Sequence, residues 1–170
     1  MRGDAISFEA TSQALGRQAA RPALYTPEER ARRDATRWTL VQGLLAPFQF
    51  LVFLVSLGLV LRSLAWGEGV FAADISVVVK TFTLYAIMVT GSIWEKVVFG
   101  KWLFARAFFW EDVFSMLVIA LHTTYLVMLL GHFGSFEQRM QIALAGYAAY
   151  VINAGQFLLK LRAARLEVAA

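Results

Sequence analysis

Three carboxylic acids, Glu95, Glu111 and Asp112, lie at the edges of long apolar runs. Carboxyl groups held at one depth can deliver a proton, orient a water and support a developing positive charge. Glu111, Ser115, His122 and Tyr125 follow one another at intervals of four, seven and three residues. At about 100° per residue the last three fall within about 40° of Glu111, so the four share one helix face. His122 then lies about 16 Å deeper along the helix than Glu111. Asp112 points about 100° away, toward a neighbouring helix or the headgroups. Asn153 and Gln156 are amides one helical turn apart. An ionisable group inside a membrane span is costly and therefore a functional candidate.

Each of these residues also has a plain structural reading. Glu95 with Lys96, or Glu111 with Asp112, can be interfacial charges that pair and mark helix ends. Two acids opening a helix suit the positive end of its dipole. His122 can be a core histidine bonded to a threonine or a backbone carbonyl, and Asn153 and Gln156 can be interhelical glue. Tyr147, Tyr150 and the tryptophans can be packing or interfacial belt residues.

The elements that must position these groups are membrane spans. Of the 170 residues 59% are apolar and only 16% charged, and there is no cysteine. That composition excludes an ordinary soluble domain, a disulfide scaffold and a cysteine-ligated metal. The chain has no Gly-rich phosphate loop, no His-Glu-x-x-His and no nucleophile elbow. A span needs about 20 apolar residues. Trp38 to Leu61, Val113 to Phe136 and Met140 to Leu159 are free of Asp, Glu, Lys and Arg, and Thr81 to Trp94 extends to span length if Lys80 and Glu95 sit inside its ends. The runs predict an all-α, four-helix membrane bundle with spans near 39–61, 75–97, 111–131 and 140–161, without internal repeats. The domain division is a polar, basic segment over 1–37 and a membrane domain over 38–166.

The N-terminal segment shows no secretory signal. Thr26-Pro27-Glu28-Glu29 has the form of a capping box with proline in the first turn, which predicts a short basic helix on the membrane surface. Residues 1–23 are expected to be disordered. Arg30, Arg32, Arg33 and Arg37, then Lys96, Lys101 and Arg106, then Lys160, Arg162 and Arg165 alternate with loops bearing only Arg62 or Arg139. This bias places both termini in the cytoplasm. Gln42, Gln49, Glu95, Glu111, Asp112, Asn153 and Gln156 then collect toward the cytoplasmic face, while Lys80 is expected near the opposite one. The net charge of +4 reads as contact with anionic lipid rather than nucleic acid.

Four segments carry a resemblance: Leu24-YTPEERARRD-Ala35, Trp38-TLVQGLLAPFQFLVFLVSLGLVL-Arg62, Gly91-SIWEKVVFGKWLFARAFFWEDVFSMLVIALHT-Thr124 and Tyr150-VINAGQFLLKLRAAR-Leu166. Together they resemble the 3-vinyl (bacterio)chlorophyllide hydratases, small membrane enzymes of bacteriochlorophyll synthesis in the bacterial inner (intracytoplasmic) membrane. The resemblance covers about residues 24–166. It implies a hydro-lyase that adds water to the C3-vinyl group of a chlorophyllide, giving a 1-hydroxyethyl group, with no cofactor.

Such chemistry needs a proton on the terminal vinyl carbon, a water for the adjacent carbon and support for the intervening cation. Glu111, Glu95 and Asp112 are the candidate acid and base, with Glu111 the first choice as donor and Lys96 a candidate partner for a charged carboxylate. Asn153 and Gln156 could hold the water. His122 could ligate the substrate's magnesium through a ring nitrogen, with Ser115 and Tyr125 on the same stripe. Trp94, Trp110, Phe108 and Phe109 could flank the flat ring. Gly146, Ala149, Ala154 and Gly155 permit close packing, which allows a homo-oligomer or association with neighbouring pathway enzymes. Two other classes stay open: a pigment-binding or assembly subunit without catalysis, which would leave vinyl pigment unchanged, and a small transporter. The one-sided position of the acids and the lack of a repeat speak against the transporter.

Overall fold

A computed structural model describes residues 24–169, and the expectation for residues 1–23 lies outside the described residues. The described residues form five helices: α1 (Pro27–Ala35), α2 (Arg37–Trp66), α3 (Val70–Phe99), α4 (Phe109–Leu130) and α5 (Phe136–Ala169). α1 starts at the capping box: the Thr26 hydroxyl accepts from the Glu29 amide at 3.2 Å and the Glu29 carboxylate accepts from the Thr26 amide at 2.8 Å. It gives way to α2 through Thr36, whose hydroxyl accepts from the Trp38 amide. α2 and α3 each end on a glycine in the left-handed region, Gly67 at φ 71° and Gly100 at φ 78°, where a side chain would be strained.

The four long helices have the length and composition to cross a membrane. Even the shortest, α4 with 22 residues, rises about 33 Å against a hydrocarbon core of about 30 Å. Side chains are sorted accordingly. Leu51, Val55, Phe82, Leu117 and Ile152 face outward, while Gln49, Ser56, Lys80, His122 and Asn153 turn inward. Outward apolar and inward polar groups suit a lipid solvent, in which a polar group must find its partner inside the bundle.

The helices run further than the charge-free stretches. α2 continues past Arg62 to Trp66, and α3 begins at Val70, before Asp74 and Lys80. Charged residues mark where lipid ends, whereas a helix satisfies its own backbone through and beyond that boundary. The longer α3 carries Lys80 within the bundle. It lies ten residues into the helix, in the half remote from Glu95, and is buried against Tyr150 of α5 rather than exposed at the helix end.

α2 packs closely on α3 and α4 on α5, and these two hairpins meet each other over smaller surfaces. The core between them includes Phe53, Val77, Leu84, Val118, Tyr147 and Tyr150. At the end remote from α1, Tyr125 donates to Asp74 at 2.5 Å and Arg139 approaches the same carboxylate at 3.6 Å, tying α3, α4 and α5. At the other end Arg32 of α1 donates to the Val98 carbonyl at 2.8 Å. Tyr25 stacks on Phe99 with ring centres 5.7 Å apart, and the Arg33 guanidinium lies 4.8 Å from the Tyr25 ring centre. Burial pushes the Tyr25 phenol above its ordinary value, Arg33 opposing in part.

Candidate active site

The connection between α3 and α4 builds the carboxyl layer. Phe104 within it has a positive φ of 58°, a left-handed conformation that costs a bulky residue about 1 kcal/mol or more. That bend aims two successive amides inward. The Phe104 amide donates to Asp112 at 2.6 Å and the Ala105 amide donates to Glu95 at 3.1 Å. Consecutive amides forming such a concavity are an anion-binding device. Here they bind carboxyl groups from two helices, Asp112 of α4 and Glu95 of α3, at successive residues of one bend, and both carboxyls are almost fully buried.

Glu111 has a different environment. Its carboxylate meets the Lys160 ammonium of α5 at 2.6 Å. Lys160 also donates to the Ala107 carbonyl, and its ammonium lies 5.0 Å from the Phe108 ring centre. As the anion of an ion pair Glu111 only accepts hydrogen bonds, so its geometry suits it less to proton donation than that of the Glu95–Asp112 pair. The expectation for Lys96 is corrected. It is solvent-facing and donates to the Gly100 carbonyl at 2.9 Å, closing the end of α3, and Lys160 supplies the cation of the layer.

The stripe on α4 is present, with Glu111, Ser115, His122 and Tyr125 all buried. Ser115 accepts from the Asn153 amide nitrogen at 2.7 Å, leaving the buried Asn153 Oδ1 unpartnered. Gln156, one turn nearer the carboxyl layer, likewise has a buried Oε1 without a partner. The His122 Nδ1 lies 2.8 Å from the Val118 carbonyl. A carbonyl only accepts, so Nδ1 carries the hydrogen and Nε2 keeps its lone pair, which is buried and unpartnered. Tyr125 lies toward the remote end, its hydroxyl committed to Asp74.

Aromatic residues divide into two groups. Trp94 and Phe108 pack together with ring centres 5.6 Å apart, beside Phe99 and Phe157 and next to the carboxyls, and the Trp94 ring nitrogen donates to Thr39 at 2.9 Å. Phe109 and Trp110 turn outward and are exposed. An apolar groove of about 340 Å³ on the outer side of the α2–α3 hairpin is lined by Leu51, Val52, Val55, Ser76 and Val79 and includes none of the carboxyls.

Gly146 has a local use. A Cβ there would stand 2.9 Å from Cε1 and Nδ1 of His122, whereas one at Gly155 would meet nothing within 4 Å. The small residue at 146 therefore admits the imidazole within the chain. Of the residues that matter here, Lys160 carries no signal beyond that of a flanking lysine. The Phe104 and Ala105 amides carry none at all, because every residue but proline has one.

Comparison with known proteins gives a consistent result. A family model described as 2-vinyl bacteriochlorophyllide hydratase matches residues 25–163. A protein of that name from Cereibacter sphaeroides is 69% identical over 148 residues, covering 86% of this chain and 91% of its own. Another of that name from Rhodobacter capsulatus is 68% identical over 151 residues, covering 88% of this chain and 86% of its own. No solved structure matches.

Proposed function

The chain belongs to the 2-vinyl bacteriochlorophyllide hydratase family, hydro-lyases of bacteriochlorophyll synthesis, and we propose that it hydrates the vinyl group of a bacteriochlorophyllide at the Glu95–Asp112 pair. The vinyl carbon called 2 in the family name is C3 in the numbering used here. The observation that carries this reading is the pair itself: two buried carboxyls from different helices, each fixed by one of two consecutive amides.

The pair hands its proton to the terminal vinyl carbon, and the π electrons form the new C–H bond. The adjacent carbon becomes cationic and shares its charge with the conjugated ring. The carboxylate left behind and the Glu111 anion lie in the same layer and stabilise that cation. Water held by the free oxygens of Asn153 and Gln156 attacks it. The water's surplus proton returns to the carboxylate pair, which restores the catalyst and leaves a 1-hydroxyethyl group. Trp94 and Phe108 flank the pigment beside the pair, and Ser115 fixes the Asn153 amide. His122, about 16 Å along α4 from Glu111 and so beyond the magnesium at the ring centre, offers its Nε2 lone pair to a hydrogen bond at the far edge of the pigment.

The arginine and lysine distribution supports both termini on the cytoplasmic side of the bacterial inner membrane, with α1 lying on its surface among anionic lipids.

The test is hydration of 3-vinyl pigment by membranes carrying Glu95→Gln, Asp112→Asn or Glu111→Gln. Loss of a general acid or base costs about 10²–10⁴ in rate, and that loss is expected for Glu95→Gln and Asp112→Asn. Near-normal turnover by folded Glu95→Gln and Asp112→Asn would overturn the mechanism.

A further inference from the structure

The reaction above gives Lys160 no part. Its ammonium meets the Glu111 carboxylate at 2.6 Å, donates to the Ala107 carbonyl and lies 5.0 Å from the Phe108 ring centre. Ala107 and Phe108 close the connection between α3 and α4, immediately before α4 begins at Phe109. A lysine only donates hydrogen bonds, so it cannot satisfy the free amides that open a helix, and the helix dipole opposes a cation there. The Glu111 anion in the first turn of α4 offsets that opposition and retains the ammonium. Lys160 therefore does nothing for the start of α4 as a helix. Its use lies with the carbonyl that it binds.

That carbonyl belongs to the same short bend as the amides of the site. Phe104 and Ala105 donate to Asp112 and Glu95 at 2.6 and 3.1 Å. Beyond them the chain closes on itself: the Phe108 amide donates to the Ala105 carbonyl at 2.8 Å, and the Asp112 amide to the Phe108 carbonyl at 3.0 Å. The Phe108 ring stacks on Phe157 of α5 with centres 5.8 Å apart. Phe157, Lys160 and Ala164 recur at intervals of three and four residues and so share a face of α5. Phe157 and Ala164 pack in the cluster that contains Phe108, and Lys160 between them takes the carbonyl. The carboxyls thus come from α3 and α4, the amides from their connection, and the hold on that connection from α5. We propose that Lys160 is a positioning residue for the Glu95–Asp112 pair: by holding the Ala107 carbonyl it keeps the two amides on the two carboxyls. The consequence for turnover rests on the hydratase reading, whereas the effect on the amides does not.

The experiment compares wild type, Lys160→Met and Lys160→Arg as full chains in detergent micelles. Methionine keeps an unbranched stem without a donor, and arginine restores donors and charge. Amide hydrogen exchange at Phe104 and Ala105 reads the hold directly. Loss of one charge-assisted hydrogen bond is expected to speed exchange at both amides by about tenfold or more in Lys160→Met, with the amides in the middle of α2 unchanged. Hydration of 3-vinyl pigment reads the consequence. Misplacement by about 1 Å costs about a hundredfold in rate, so kcat is expected to fall by about tenfold to a hundredfold. KM is expected to stay within about twofold, because the lost interaction acts on the chemical step. Lys160→Arg is expected to recover most of both losses. Unchanged exchange at Phe104 and Ala105 in Lys160→Met overturns the proposal. So does faster exchange with kcat intact, or an arginine variant as impaired as the methionine one; either leaves the hydratase reading standing. If Lys160→Met does not fold, Lys160→Gln, shorter and uncharged, takes its place and the same outcomes decide. A wild-type chain that leaves vinyl pigment unchanged removes the hydratase reading, and the exchange rates still decide whether Lys160 holds the amides.

Discussion

Gly146→Ala should damage this protein although alanine is the better helix former. The added Cβ would stand 2.9 Å from two atoms of the His122 ring, against an optimal separation of about 3.5–4.0 Å between carbons. The imidazole must retreat by roughly 0.5–1 Å, and it is held from behind by its 2.8 Å bond to the Val118 carbonyl. Overpacking of this kind costs about 1–3 kcal/mol. The helix propensity of alanine returns up to about 1 kcal/mol, so the net change should be a loss of about 0–2 kcal/mol. Gly155→Ala supplies the control on the same helix, because nothing lies within 4 Å of its added carbon and only the propensity gain remains. Unfolding of both purified variants in the same micelles should therefore separate them by about 1–3 kcal/mol, with Gly155→Ala the more stable. Pigment affinity should fall for Gly146→Ala alone, since the displaced ring carries the free Nε2. Equal stability of the two variants would refute the reasoning.

Other outcomes follow from single contacts. Phe104→Gly should keep activity and gain up to about 1 kcal/mol from relief of the left-handed conformation, less whatever its ring contributes. Phe104→Pro, with φ fixed near −65° and no amide hydrogen, should abolish hydration by releasing Asp112; activity in Phe104→Pro would show that the amide is not needed. Tyr125→Phe removes the 2.5 Å bond to Asp74 and should cost about 1.5–3 kcal/mol in unfolding experiments while leaving the rate of hydration intact. Thr26→Ala should weaken α1 by about 0.5–2 kcal/mol, visible as faster proteolysis before residue 36 with no change in the midpoint for the bundle.

Helical periodicity made the α4 stripe legible, since a carboxylate, a hydroxyl and an imidazole at intervals of four and seven must share a face whatever surrounds them. The capping box at Thr26 was legible because all of its parts lie within four residues. What the sequence hides is contact between distant segments. Glu95 and Asp112 meet because a left-handed Phe104 turns two amides inward, and neither the bend nor the amides leaves a mark in residue type. Lys160 looks like any lysine flanking a span until α5 is laid against α4. The helices outrun the expected spans, past Arg62 in α2 and before Ile75 in α3, because hydropathy reports the lipid boundary, whereas backbone hydrogen bonding fixes the helix.

The buried polar groups then separate by whether the protein itself satisfies them. Ser56 joins Ser76 and Tyr147 at 2.7 and 2.6 Å, and Tyr125 joins Asp74. These sets tie α2 to α3 and α5, and α3 to α4. Among the described residues Gln156 Oε1, Asn153 Oδ1, His122 Nε2 and Lys80 Nζ have no partner, nor do Gln49 Oε1, Arg30 Nε and Arg139 Nε, and by residue order on α3, α4 and α5 the first four run from the carboxyl layer to the middle of the bundle. Leaving such groups unpaired in a low-dielectric interior is costly, and hydrogen bonds used only to pack helices would favour pairing them all. The hydratase reading proposed above gives the first two a use, since their free acceptors lie beside the proposed proton donors and can hold the attacking water.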